Sequence, residues 1–337
     1  MVGVAEVLAL VMPLLQIPRW CRARPHADTA ALPTKEPPML ARRHFLQMTG
    51  AAVASAFAAA VLAKAPSTVL AGAKPQASDF AALEKASGGR LGVTLLNTAT
   101  GARVGHRQDE RFPMCSTFKF VLSATVLHLA DKGTLSLDRR LPVRQQDMLS
   151  HAPVTKRHVG KDLTVRDLCR ATMVTSDNPA ANLLLGVVGG PAGVTAFLRA
   201  HGDTVTRNDR LEPEMNDFAP GDPRDTTSPA AMAASLQRFV LGDTLSKPAR
   251  LQLADWLIDN ETGDTRLRAG LSPAWRVGDK TGSNGEDTTN DIAILWPLAG
   301  GAPWVLTSYL QGASVDDAGR NDVLRQVAVI AERLMRG

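Results

Sequence analysis

From residue 78 onward, strand-like segments occupy both ends of the chain and a long helical block lies between them, an order compatible with few folds. At the front, a short helix capped by Ser78 stops at Gly88-Gly89, and Leu91 to Asn97 with Arg103 to Arg107 then open a hairpin around a turn at Gly101. The block that follows predicts helices over Ser116 to Lys132, stopped by Gly133, over Thr164 to Met173, where Thr164 and Asp167 have capping-box spacing, and over Pro179 to Val188. Further helices are expected over Pro191 to His201, from Ser228-Pro229 to Leu241, and over Lys247 to Asp259, where Leu251, Ala254 and Leu257 recur at helical spacing. Strand character returns at Arg276 to Lys280, Asp291 to Trp296 and Trp304 to Leu310, before an amphipathic helix from Asp317 to Met335. These segments predict an α/β (α+β) fold, with an antiparallel sheet built from both chain ends, flanked by helices, and an all-α domain inserted between its halves. The sheet subdomain takes residues 78–114 and 259–337, and the helical subdomain takes 115–258. A ligand pocket is expected where the two meet.

The first 73 residues read differently. Arg42-Arg43, followed by His44, Phe45, Leu46 and Gln47, precedes an Ala-rich apolar run from Gly50 to Leu62. That run is shorter than the about 20 residues of a bilayer span. It contains Ser55 and is followed by small-residue sites at Ala63-Lys64-Ala65 and Ala71-Gly72-Ala73. The layout predicts a twin-arginine signal peptide over residues 39–73, cleaved near Ala65 or Ala73. It implies the twin-arginine translocase as partner during export, a periplasmic product folded before transport, and no stable membrane anchor after cleavage. Signals begin close to their arginines, so Met39 is the expected start and residues 1–38 an upstream extension outside the fold.

Removing the leader changes the charge argument. The whole chain carries +5, but residues 1–73 hold seven of its 38 basic and three of its 33 acidic residues, which leaves the remainder at +1. With no basic footprint and no helix-turn-helix, RNP or finger pattern, nucleic acid is not an expected partner. The 45% hydrophobic content suits a globular core and argues against disorder. Of three cysteines, Cys21 leaves with the leader, while Cys115 and Cys169 lie in helical segments, where one disulfide is neither required nor ruled out.

Three short motifs fall at the predicted junctions. Ser116-Thr117-Phe118-Lys119 opens the helical block; residues three apart on a helix share a face, so the lysine amine can reach the serine hydroxyl at a helix start that favours a developing oxyanion. Ser176-Asp177-Asn178 lies in a loop, and Lys280-Thr281-Gly282, followed by Ser283, ends a strand. Singly these would be a helix-start serine, a turn and a charged edge strand. Together, in this order, they form the signature shared by class A β-lactamases and penicillin-binding proteins. The chain resembles a class A serine β-lactamase over roughly residues 78 to 336, and Arg210-Leu211-Glu212-Pro213-Glu214-Met215-Asn216, closing at Asp225, resembles that family's Ω-loop.

That resemblance implies a β-lactam hydrolase with Ser116, Lys119, Ser176 and Glu212 as catalytic residues. Ser116 attacks the lactam carbonyl, backbone N–H groups of Ser116 and Ser283 receive the oxyanion, and Lys119, or Glu212 acting through water, takes the serine proton. Ser176 passes a proton to the departing nitrogen, and Asn178 holds the substrate amide. Glu212, chosen over the neighbouring Glu214 by its spacing from Arg210 and Asn216, activates the deacylating water that Asn216 helps to bind. Arg210 and Asp225 pair across the loop. Lys280, Thr281 and Ser283 face the substrate carboxylate. Because Gly285-Glu286-Asp287-Thr288-Thr289 lacks the strand arginine of many members, Arg266 is the expected substitute, while His151 stands at the aromatic gate of the pocket mouth. No cofactor and no metal are implied, and monomer is the family default.

Cys115 precedes the nucleophile, as in members with a disulfide to the residue after the Lys-Thr-Gly-Ser run, but that residue here is Asn284. The usual partner position of Cys169 holds Ser123. Two free, buried thiols are therefore expected, together with a broad-spectrum cephalosporinase-like rather than carbapenemase subtype. The seven histidines show no H-x-H or H-E-x-x-H spacing, and no G-x-S-x-G elbow is present. The alternatives that share the three motifs are a D,D-peptidase and a penicillin-sensing domain, both of which keep their acyl group.

Overall fold

The structure, a computed structural model, describes residues 78–336; the expected signal peptide and upstream extension lie outside them. In chain order the elements are α1 (Ser78–Ser87), β1 (Arg90–Asn97), β2 (Arg103–His106), β3 (Phe112–Pro113), α2 (Phe118–Asp131), β4 (Arg140–Pro142), β5 (Asp162–Thr164), α3 (Val165–Val174), α4 (Asn178–Val187), α5 (Gly190–Ala200), β6 (Thr226–Thr227), α6 (Pro229–Leu236), α7 (Lys247–Ile258), β7 (Trp275–Ser283), β8 (Thr289–Pro297), β9 (Trp304–Gln311) and α8 (Asp317–Arg336). Five strands form one antiparallel sheet in the order β2-β1-β9-β8-β7, so the first two strands close on the last three. The helical block α2 to α7 leaves after β3 and returns before β7, as the order of segments predicts.

Side-chain alternation explains how the sheet serves two cores. Leu91, Val93 and Leu95 of β1, Ala293 and Leu295 of β8, and Leu306 and Leu310 of β9 share a core with Phe80 of α1 and Leu324, Val327, Ala328 and Ala331 of α8. The opposite parity, Leu96, Ile292, Ile294, Val305 and Tyr309, joins a larger core with the helical block. Each such aliphatic side chain gains about 1.5–3 kcal/mol on burial. A one-residue slip would exchange the two faces, so the register is strongly fixed.

Local signals set the helix starts. Thr164 and Asp167 form the expected capping box on α3, and Ser228 and Ser246 accept from Ala231 N and Ala249 N to cap α6 and α7. Three expectations shift at their ends. The helix expected from Ser116 begins at Phe118, because Cys115–Thr117 form a 3-10 turn entered through Cys115 at φ +45°. The run expected to Leu241 is α-helical only to Leu236 and then widens into a π turn over Gln237–Leu241. The second hairpin strand stops at His106, since Arg107 takes φ +45° to turn toward α1.

That turn pins α1 to the sheet. Glu84 accepts from Leu91 N at 2.9 Å, Arg107 Nε at 2.6 Å and Arg107 Nη2 at 2.8 Å. Chiefly through Arg107, its carboxyl is lowered from 4.5 to about 2. A depressed carboxyl stabilises the fold above its unfolded value and loses that contribution as pH falls through the folded one. Glu84→Gln is therefore expected to lower stability at pH 7 by about 1 kcal/mol, given solvent around Arg107, or about 2–4 °C in melting temperature. Thermal melts from pH 7 down to pH 2 check this, the gap between variant and wild type closing as Glu84 protonates.

Candidate active site

Ser116 lies on the 3-10 turn where the chain passes from β3 into α2. The turn is braced from both sides: the Thr117 hydroxyl donates to Met114 O at 2.8 Å, and Asn290 of β8 donates to Pro113 O at 2.9 Å and Met114 O at 3.1 Å. Edge strand β7 runs alongside at Gly282, where a Cβ would sit 2.7 Å from Met114 O and 3.1 Å from Ser116 N. Only glycine admits that approach, which brings the backbone next to Ser283 up to the turn that carries Ser116.

One helical turn on, Lys119 is fully buried in a cage of oxygens. Its Nζ lies 2.9 Å from Ser116 Oγ, 2.8 Å from Ser176 O, 3.3 Å from Ser176 Oγ, 2.5 Å from Asn178 Oδ1 and 3.1 Å from Glu212 Oε1. A buried ammonium is costly unless paired and hydrogen-bonded, and these oxygens supply both. Burial holds the amine below the usual lysine range, with the Glu212 charge opposing the shift.

Ser176 takes the left-handed conformation, φ +60°, in the loop between α3 and α4. Its neighbour Asp177 locks that loop: the carboxylate accepts from Val154 N and Thr155 N at 2.9 Å and from Ala180 N at 3.0 Å, where it also caps α4. The Ser176 hydroxyl receives a bond from Lys280 Nζ at 3.1 Å. Lys280 is buried on β7, and burial together with the nearby Lys119 charge lowers its pKa well below the ordinary value.

The Ω-like segment is closed at its neck, as expected, by Arg210 Nε donating to Asp225 Oδ2 at 2.7 Å. Asp225 Oδ1 also accepts from Asp209 N and Arg210 N, at 2.7 and 3.1 Å. Within it, Glu212 is clamped through its backbone: Asn182 of α4 accepts from Glu212 N at 3.0 Å and donates to Glu212 O at 2.8 Å. Asn216 Nδ2 holds Glu212 Oε2 at 2.6 Å. Glu214 is exposed and lies outside the cleft lining.

Ser116, Ser176, Asn178, Glu212, Asn216, Thr281, Ser283, Arg266 and His151 all line one cleft of ≈ 1360 Å³, with Lys119 and Lys280 buried beneath it. Arg266 commits Nε to Asn321 at 2.9 Å and Nη1 to Gly282 O and Asn290 O at 3.0 and 2.9 Å, which fixes its guanidinium beside β7. His151 stands exposed on the rim, with Nε2 2.9 Å from Thr175 O. Cys115 and Cys169 are free and buried, and burial raises both thiols. Three supporting residues escaped the sequence reading: Asn182, Asn290 and the bracing role of Asp177. Asn182 alone carried a local signal, since it lies four residues after Asn178 on one helix face.

A serine whose hydroxyl meets a buried lysine, next to a carboxylate on a separately clamped loop, defines the class as a serine hydrolase. The chain belongs to the β-lactamase enzyme family, class A serine branch; the family model matches residues 75–333. Beta-lactamase L2 of Stenotrophomonas maltophilia is 67% identical over 302 residues, 88% of this chain and 100% of that one. Beta-lactamase CTX-M-8 of Citrobacter amalonaticus is 46% identical over 251 residues, 74% of this chain and 86% of that one. Among solved structures, L2 complexed with relebactam is similar at TM-score 0.75 and 70% identity, covering 78% of this chain and 96% of that one. A β lactamase from Xanthomonas campestris is similar at TM-score 0.76 and 57% identity, covering 78% and 100%.

Proposed function

We propose that the protein hydrolyses the amide of penicillins and cephalosporins through an ester on Ser116, and so confers resistance to them. Ser116 Oγ bonds to the lactam carbonyl carbon while its proton passes to Lys119, or through water to Glu212. The lactam C–N bond then breaks and the nitrogen takes a proton from Ser176, which Lys280 orients at 3.1 Å and which regains a proton from Lys119, 3.3 Å from its Oγ. A water deprotonated by Glu212 and steadied by Asn216 attacks the ester, and Ser116 leaves with a proton. Asn178 holds the substrate amide, while Lys280, Thr281, Ser283 and Arg266 receive its carboxylate and His151 borders the mouth.

The observation that carries this reading is the position of Lys119 Nζ, 2.9 Å from the Ser116 hydroxyl and 3.1 Å from Glu212, which couples acylation and deacylation groups through one amine. A D,D-peptidase or penicillin sensor has no use for a clamped Glu212. Nitrocefin turnover with intact-protein mass spectrometry tests the choice. Wild-type protein is expected to hydrolyse many equivalents and to show no lasting adduct; a stable adduct on Ser116 would favour the rival reading.

The finer assignments rest on sequence. Residues 39–73, with Arg42-Arg43 before an Ala-rich run, support export by the twin-arginine translocase to the periplasm. Residues 74–337 form the working domain, with 115–258 as its helical part, and it acts as a monomer. Asn284 in place of a second cysteine supports the cephalosporinase-like subtype.

A further inference from the structure

A row of side chains runs from β7 into the loop after α7 and reaches the cleft lining at Thr262 and Thr281. Asp279, fully buried, accepts from Arg268 on Oδ1 and from Asn260 Nδ2 on Oδ2, the latter at 2.7 Å. Gly263 leaves room for that carboxylate, since a Cβ there would lie 1.8 Å from Oδ2. The other end of the Asn260 amide, Oδ1, accepts from the Thr262 backbone N–H at 3.2 Å and the Thr262 hydroxyl at 2.7 Å. A backbone N–H only donates, so the atom it meets is the amide oxygen and the orientation of Asn260 is fixed.

A threonine hydroxyl carries one proton. Thr262 directs its own to Asn260, so at the 2.5 Å contact between the Thr262 and Thr281 hydroxyls the shared proton comes from Thr281. Thr281 is nearly buried, and with its proton turned away it offers lone pairs to the cleft. We propose that Thr262 is a positioning residue that sets the polarity of the Thr281 hydroxyl and thereby the affinity for the substrate carboxylate. The inference rests on the reading of this cleft as a β-lactam site. When the anion binds, the Thr281 proton swings to it and the Thr262–Thr281 bond is lost, so that bond opposes binding.

Thr262→Val keeps the shape of the side chain and removes the acceptor, whereas Thr262→Ser keeps the hydroxyl. For a β-lactam with a free carboxylate, the valine variant is expected to show KM lowered about three- to tenfold at unchanged kcat, the range set by one net hydrogen bond. The serine variant should match wild type, and the methyl ester of the same β-lactam should not distinguish the three proteins. A KM for the free acid that is unchanged or raised by Thr262→Val, in an enzyme that turns over, overturns this inference alone. Absence of wild-type turnover overturns the β-lactamase reading and this inference with it.

Discussion

Glu212→Ala is expected to turn the enzyme into a trap: one equivalent of nitrocefin opens in a burst, the protein gains the substrate mass on Ser116, and turnover falls about 10²- to 10⁴-fold, the range for loss of a general base. The geometry separates the two half-reactions. Glu212 is held from three directions, by Asn182 on its backbone, Asn216 on Oε2 and Lys119 near Oε1, none of which is needed to keep Ser116 in its turn. The nucleophile turn is braced instead by Thr117 and Asn290, so it survives the substitution. KM should fall with kcat, because slow deacylation lets the acyl-enzyme accumulate.

The same variant bears on which group removes the Ser116 proton. The Glu212 charge raises the Lys119 pKa against the lowering effect of burial. Taking that charge away pushes the amine further down and increases its neutral, proton-accepting fraction. If Lys119 is the acylation base, the mass of the adduct therefore appears quickly in Glu212→Ala. A variant that neither turns over nor gains mass would assign that proton transfer to Glu212.

Elements with a periodic or capped signature were legible in the sequence: the antiparallel sheet from both chain ends and the capping box at Thr164 recur in the geometry. The choice of Glu212 over Glu214 came instead from the family resemblance, and of the two only Glu212 lines the cleft. What sequence could not show is long-range bracing. Asn290 sits in a strand about 175 residues beyond the turn it supports, and nothing local in Thr289-Asn290-Asp291 predicts a bond to Met114 O. Likewise, nothing local to Gly282 in the third motif shows its physical role, which is to let β7 approach the Ser116 turn. The start of α2 moved because a positive φ at Cys115, a residue with no preference for it, is imposed by tertiary packing.

Lys119→Ala should fail at the opposite step. Its amine serves Ser116 Oγ, Ser176 O, Asn178 Oδ1 and Glu212 Oε1 at once, so truncation leaves four acceptors facing one another in a buried space. The Ser116 hydroxyl loses its nearest partner, and Glu212 loses the cation 3.1 Å from its Oε1. We expect kcat/KM to fall about 10²- to 10⁴-fold with no burst, because acylation becomes slower than the deacylation that follows it. Stopped-flow nitrocefin traces and quenched mass spectra check this against Glu212→Ala: the glutamate variant accumulates adduct within one turnover, the lysine variant stays unmodified at steady state. Lys119→Met, which keeps the buried volume, separates lost chemistry from lost packing, since it should restore part of the melting temperature and none of the rate. Accumulation of a stable adduct in either lysine variant would place Lys119 in deacylation and leave the division of labour around Ser116 wrong.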